Sequence, residues 1–117
     1  MLNFPPSVRI YFAAGVTDMR KSFDGLASVT ENVLRLDPLS GHVFVFCNRR
    51  KDRLKILFWD RAGFWCLAKR LEQGTFAWPD SEPVTKLEMT TRELMLILEG
   101  IDHRDVRFRK RMNRMPA

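Results

Sequence analysis

The largest reserve of chemistry in this chain is cationic: 20 lysines and arginines against 14 acids, with fourteen of the cations gathered into two blocks. Residues 49–70 hold eight cations (Arg49, Arg50, Lys51, Arg53, Lys55, Arg61, Lys69 and Arg70) against Asp52 and Asp60. Residues 103–117 hold six (Arg104, Arg107, Arg109, Lys110, Arg111 and Arg114) against Asp105. Between them, residues 72–102 reverse the sign with seven acids against Lys86 and Arg92, while residues 1–48 balance. Concentrated positive charge attracts polyanions, phosphate backbones foremost. The first block is interleaved with Trp59 and Trp65. Cations neutralise phosphates while an indole stacks on an unpaired base, worth ~1–3 kcal/mol per base. The tryptophans also read as core residues, since indoles are highly buried on average.

Other chemistries have weaker support. Gly15 to Ser22 follows a strand signal and precedes a helix signal, as a phosphate-binding loop does. Such a loop needs a glycine directly before Lys-Ser so that backbone N–H groups can wrap the phosphate, and Arg20 stands there. Asp18 would also put a carboxylate where the phosphate belongs, so a capped helix is the simpler reading. His42 and His103 are isolated, and Cys47 and Cys66 form no C-x-x-C pair, so no metal site is expected. No nucleophile elbow or Cys/His signature is present. Asp18, Asp24, Asp60 and Glu72 are candidates by type for two-metal phosphoryl transfer, at a spacing that matches no metal signature. Neither catalytic residues nor a cofactor are expected.

The elements follow from hydrophobic periodicity. Val8 to Phe12 reads as a short strand, and Thr17 or Asp18 as the N-cap of a helix reaching Leu36. Gly25 inside that helix suggests close approach to a neighbouring element. Val43–Cys47, Arg53–Asp60, Phe64–Leu71 and Thr75–Trp78 read as consecutive antiparallel strands joined by short turns. Lys86–Met89 is a further short strand. Thr90 and Glu93 form a capping box for a second helix with Leu94, Ile97, Leu98 and Ile101 on its apolar face and Gly100 as its C-cap glycine. Periodicity then vanishes.

Length and composition bound the rest. At 117 residues with 45% hydrophobic content, the chain suits one globular domain. It has no apolar run of membrane-spanning length and no basic n-region with an apolar core at its start. Two cysteines make no disulfide framework, which fits a reducing cytoplasm. The expectation is a single α+β domain over residues 1–102, followed by a flexible basic tail at 103–117. Its sheet is an antiparallel meander of four to five strands, with both helices packed on one face.

The segments Asp18–Leu26, Gly41–Lys55, Trp59-Asp60, Lys69–Pro79 and Leu98–Asp102 carry a family resemblance. In content and order they resemble the short TnpB accessory proteins, the second reading frame of insertion-sequence family sixty-six. The resemblance runs from near Ile10 to Asp102. It implies a protein required for transposition beside a separate, larger transposase, with no catalytic residues to carry over. The chain departs from the family at Gln73, Thr75 and Ala77, where relatives carry more basic residues.

Three functional readings follow. The first is a non-catalytic accessory protein binding DNA, either transposon ends or single-stranded intermediates. Its contacts would be Arg49, Arg50, Lys51, Arg53, Lys55, Lys69 and Arg70 with Arg107, Arg109, Lys110 and Arg111 of the tail. The second is an adaptor docking on the transposase of the same element through the acidic segment 72–102 and the helix from Thr90. The third is a metal-dependent phosphoryl-transfer enzyme built on the scattered carboxylates. No membrane contact is expected, and oligomeric state is open.

Overall fold

The computed structural model describes residues 4–78 and 84–100, with the order β1 (Ile10–Ala13), α1 (Phe23–Asn32), β2 (Val43–Cys47), β3 (Arg53–Trp59), β4 (Phe64–Arg70), β5 (Lys86–Met89) and α2 (Thr91–Leu98). The proposed tail at 103–117 lies outside the described residues. No described helix is long and apolar enough to cross a membrane.

All five strands form one sheet in the order β4-β3-β2-β1-β5. The segments β2, β3 and β4 make the expected meander, with Val45 opposite Ile56 and Leu57 opposite Cys66. The first strand departs from it: β1 runs parallel to β2, with Tyr11 opposite Phe44, and antiparallel to β5, with Tyr11 opposite Glu88. A parallel neighbour requires a crossover, and α1 supplies it.

The expectation that both helices share one face is corrected. On one face, Leu26 of α1 packs with Ala13, Phe44, Phe46 and Leu57. On the other, Leu94, Ile97 and Leu98 of α2 pack with Ile10, Phe12, Val43, Val45, Ile56, Phe76 and Trp78. The alternation of strand side chains separates these two sets. The physical reason lies in β2, whose residues Val43 to Cys47 are all buried. Such a strand needs apolar cover on both sides.

Two further expectations shift. Thr75–Trp78 is irregular chain, held by the Phe76 N–H donating to the Lys51 carbonyl at 2.7 Å and by a tight turn from the Trp78 N–H to the Phe76 carbonyl at 2.8 Å. It carries Phe76 and Trp78 into the α2-side core, with the Trp78 ring 5.0 Å from that of Phe12. The first helix begins at Phe23 and not at Thr17 or Asp18, because Asp18 caps a turn of the preceding loop instead. Its carboxylate accepts from the Arg20 backbone N–H at 2.9 Å and from the guanidinium at 2.7–3.1 Å. This clip holds Lys21 beside the helix, where a Cβ at Gly25 would lie 3.0 Å from the Lys21 Cβ. The close contact at Gly25 is thus with the residue four positions before it and not with a separate element of the fold.

The second helix starts as its sequence dictates. Thr90 Oγ1 accepts from the Glu93 N–H at 3.1 Å, and Glu93 Oε1 accepts from the Thr90 N–H at 3.1 Å. Gly100 closes the other end at φ 75°, where a side chain would be strained.

Two outcomes follow. Thr90→Ala removes one side of the capping box and should cost about 1 kcal/mol, read as a lower urea midpoint at unchanged slope. Hydrogen bonds from Arg20 lower the Asp18 carboxyl from 3.8 to about 2. Because the folded value is depressed, the clip's contribution is complete above the ordinary carboxylate range and is lost as pH falls toward about 2. A carboxyl NMR titration should show this low midpoint, and Arg20→Gln should return it toward 3.8.

Candidate functional site

The parallel pair β1–β2 brings two loops together beyond its carboxyl ends, which is where open sheets with crossover helices form crevices. The first loop, residues 14–22, is tied down by the Thr17 N–H donating to the Cys47 carbonyl at the end of β2, at 2.9 Å. With Asp18 clipped to Arg20, that arginine is carried to the β2–β3 turn, its side chain 92% exposed.

The second loop is the turn from Asn48 to Asp52. Asn48 Oδ1 accepts from the Asp52 and Arg53 N–H groups, both at 3.1 Å, and its Nδ2 donates to Asp52 Oδ1 at 2.8 Å. The Asn48 N–H donates to the Arg53 carbonyl at 3.1 Å. These short side chains satisfy the interior of the turn, so the long ones stand outward: Arg49, Arg50 and Lys51 are all exposed. Lys51 takes φ 61°, the left-handed conformation that closes the turn.

Below the turn, Arg53 and Arg70 are directly opposed across β3 and β4 on the α1 face. Like charges opposite one another are unfavourable in a sheet. Glu72 offsets part of this at 3.0 Å from Arg70, through an exposed and therefore weak pair. Arg20, Arg49, Arg50, Arg53 and Arg70 line one open hollow of about 540 Å³, with Asp18 and Asp52 as its acids. Guanidinium groups converge there from a loop, a turn and two strands. Each can meet phosphate through paired N–H donors.

Lys55 stays on this face, lining an adjoining open hollow of about 450 Å³ with Met19, Arg53, Ala68 and Arg70, and the other remaining sequence candidates serve the fold or lie outside the described residues. Lys55 donates its ammonium to the Lys21 carbonyl at 2.7 Å, bracing the loop before α1. Lys69 points to the opposite face of the sheet and donates to the Leu98 carbonyl at the end of α2. An ammonium there satisfies an orphan carbonyl and complements the helix dipole. Lys51 shares the turn but does not line the hollow. Arg107, Arg109, Lys110 and Arg111 lie outside the described residues.

The tryptophans divide three ways. Trp78 is core at 6% exposure, whereas Trp65 is 52% exposed on the α2 face and donates its Nε1–H to Asp60 at 2.8 Å. Trp59, half-buried on the α1 face, packs edge-on against Phe64 at 5.0 Å. Trp65 and the arginine hollow therefore lie on opposite faces of the sheet. Sequence reasoning missed Arg20 and Asn48. Arg20 stood inside the octapeptide weighed as a phosphate loop, and the strand–loop–helix setting that prompted that comparison is the signal that could have found it.

The titratable groups weighed for catalysis are dispersed. Asp18 serves Arg20, Glu72 serves Arg70, and Asp60 caps its own turn. The Trp65 indole and turn N–H groups hold Asp60 below the ordinary carboxylate range. No cluster of three or more potential metal ligands occurs among the described residues. Both cysteines are free, and burial pushes the Cys47 thiol up to about 12 and raises Cys66. They lie in strands separated by β3 and on opposite faces.

Residues 8–108 match the family described as IS66 Orf2 like protein. Two relatives come from Sinorhizobium fredii. The uncharacterised protein y4hO is 39% identical over 104 residues, covering 89% of this chain and 90% of its own length. The uncharacterised protein y4jC is 35% identical over 102 residues, covering 87% and 86%. No solved structure matches the chain. With the family pattern spanning both loops, the sheet and both helices, the chain belongs to the IS66 Orf2-like family, and its role is that of a transposition-associated accessory protein.

Proposed function

We propose that this accessory protein binds the phosphate backbone of DNA through the hollow beyond β1 and β2. The observation that carries the reading is that Arg20, Arg49, Arg50, Arg53 and Arg70 line one open concavity, with Arg53, Lys55 and Arg70 lining a second that adjoins it. Three physical features support it. The turn interior is satisfied without Arg49 and Arg50, so folding leaves these side chains to solvent. The opposed Arg53 and Arg70 repel each other, and an anion between them relieves that cost. Arginine's planar fork suits phosphate better than a point charge does.

Phosphate contact fixes position on a polynucleotide without reading sequence. Arg20, Arg49, Arg50, Arg53 and Arg70 come from a loop, a turn and two strands, so the reading rests on backbone contact and not on a recognition helix. The acidic segment proposed as a transposase-docking surface is partly occupied within the fold. Glu72 pairs with Arg70, Glu88 lies 3.7 Å from Arg9, and Glu93 serves the capping box.

Titration of labelled duplex DNA at several salt concentrations tests it. The slope of log affinity against log salt should be about −0.9 per phosphate neutralised, and shallower with single strands, about −0.7 per phosphate. A combined Arg49→Ala, Arg50→Ala, Arg53→Ala variant should lose affinity and flatten the slope by one phosphate equivalent per contact removed. Lys69→Met should leave the slope unchanged while lowering the thermal midpoint, because its ammonium holds α2. No binding at low salt, or equal slopes for the triple variant and the parent, would sink the reading.

A further inference from the structure

Strand β4 closes the sheet, and the hydrogen bonds at its two ends reveal which backbone groups it leaves unused. The Leu71 N–H donates to the Asp52 carbonyl at 2.8 Å, and the Asp60 N–H donates to the Gly63 carbonyl at 3.1 Å. The register between them is unbroken, from Arg53 opposite Arg70 to Trp59 opposite Phe64. In an antiparallel ladder, alternate residues turn their N–H and C=O groups toward the partner. Odd-numbered residues of this stretch therefore serve β3, and Phe64, Cys66, Ala68 and Arg70 turn theirs outward. Sheet edges are commonly blunted by proline, a bulge, charged side chains or an overlying segment, and on β4 the charges are confined to its last two residues, Lys69 and Arg70. β4 has no proline and no bulge, and no hydrogen bond among the described residues meets those outward groups.

We propose that β4 is a self-association surface, pairing antiparallel with β4 of a second copy about a two-fold axis at Leu67. The four outward residues are symmetric about that position. Phe64 then meets Arg70, and Cys66 meets Ala68, in narrow pairs that each exchange two hydrogen bonds. Every outward donor and acceptor of the strand is used. Centring the pair on Cys66 leaves Arg70 without a strand partner, and centring it on Ala68 leaves Phe64 without one.

The side chains agree with the backbone. On the α2 face, Leu67 meets Leu67, and Trp65 lies opposite Lys69, whose methylene stem can cover the ring while its ammonium stays on the Leu98 carbonyl. Trp65 is otherwise 52% exposed, stacked on Phe58 at 6.3 Å. On the α1 face, Phe64 lies opposite Arg70, a cation–π pairing. No cation faces a cation across the seam, although the strand ends in Lys69 and Arg70. A two-fold axis perpendicular to the sheet also puts both α1 faces, and both arginine hollows, on one side. That last consequence rests on the polyanion reading, whereas the pairing itself does not.

Sedimentation equilibrium of the full chain without nucleic acid reads the association directly. The mass should rise with concentration from 13.7 kDa to twice that value. Ala68→Pro removes an outward N–H while leaving the β3 ladder its bonds, and should hold the protein monomeric with its circular dichroism retained. Should that variant not fold, Leu67→Cys in a Cys66→Ser background provides the second measurement. Directly opposed wide-pair positions should link into a disulfide dimer under mild oxidation. A monomer at every concentration, a dimer that folded Ala68→Pro leaves intact, or Leu67→Cys that does not cross-link would each overturn the proposal. None of these readouts involves DNA, so failure here is separable from failure of the nucleic-acid reading.

Discussion

A five-residue strand with no polar side chain governs this fold. Val43 to Cys47 is buried along its whole length, so water must be kept from both of its faces. A helix on each side meets that demand, and α1 can reach its side only as a crossover between β1 and β2. The crossover makes those two strands parallel, and parallel strands end on the same edge of the sheet. The loop leaving β1 and the turn leaving β2 are consequently neighbours. Arginines some thirty positions apart in sequence, Arg20 and Arg49, meet over one hollow because a hydrophobic strand must be covered twice.

The same frame divides the basic residues by type. Three lysines are spent on carbonyls at loop and helix ends: Lys55 on Lys21, Lys69 on Leu98, and Lys86 on Leu34 just past α1. A flexible stem with a compact ammonium suits that task, since it can reach a single acceptor from several directions. The arginines around the hollow make few internal bonds, apart from Arg20 to Asp18 and Arg70 to Glu72, both at exposed positions. Exposed pairs of this kind are screened and contribute little to stability. Net charge alone therefore does not describe the positive surface, and among the described residues the fold separates cations that brace the chain from those left to solvent.

How far the sequence discloses this depends on whether a signal is local. Alternation in Arg53–Trp59 and the short polar turns fix β3, β4 and their register, and the capping box fixes the start of α2. Topology is less accessible, because β1 joins the sheet through partners thirty and nearly eighty residues away, Val43 and Met89. One clue to the two-sided cover was present in the unbroken apolar run at Val43–Cys47, which a one-faced sheet would not require. Asp18 misled because one carboxylate can cap a helix or clip a turn, and only the position of Arg20 decides between them. Phe76 and Trp78 looked like strand residues because burial under a helix and burial in a sheet select the same side chains.

The candidate site shows the same boundary between local and distant information. Arg49, Arg50 and Lys51 could be placed on a turn from their neighbours, since Asn48 and Asp52 are residues that close turns with their own side chains. The opposition of Arg53 and Arg70 follows only once the register of β3 and β4 is known. Lys69 reads from composition as one more cation in the same cluster. A side chain one position along a strand points to the other face, so Lys69 leaves the company of Arg70 and joins α2. Adjacent basic residues in a strand are thus two populations, and a count along the chain merges them. What makes the hollow a coherent surface is that the arginines retained on it come from one face of β3 and β4 and from the two loops at one end of the parallel pair.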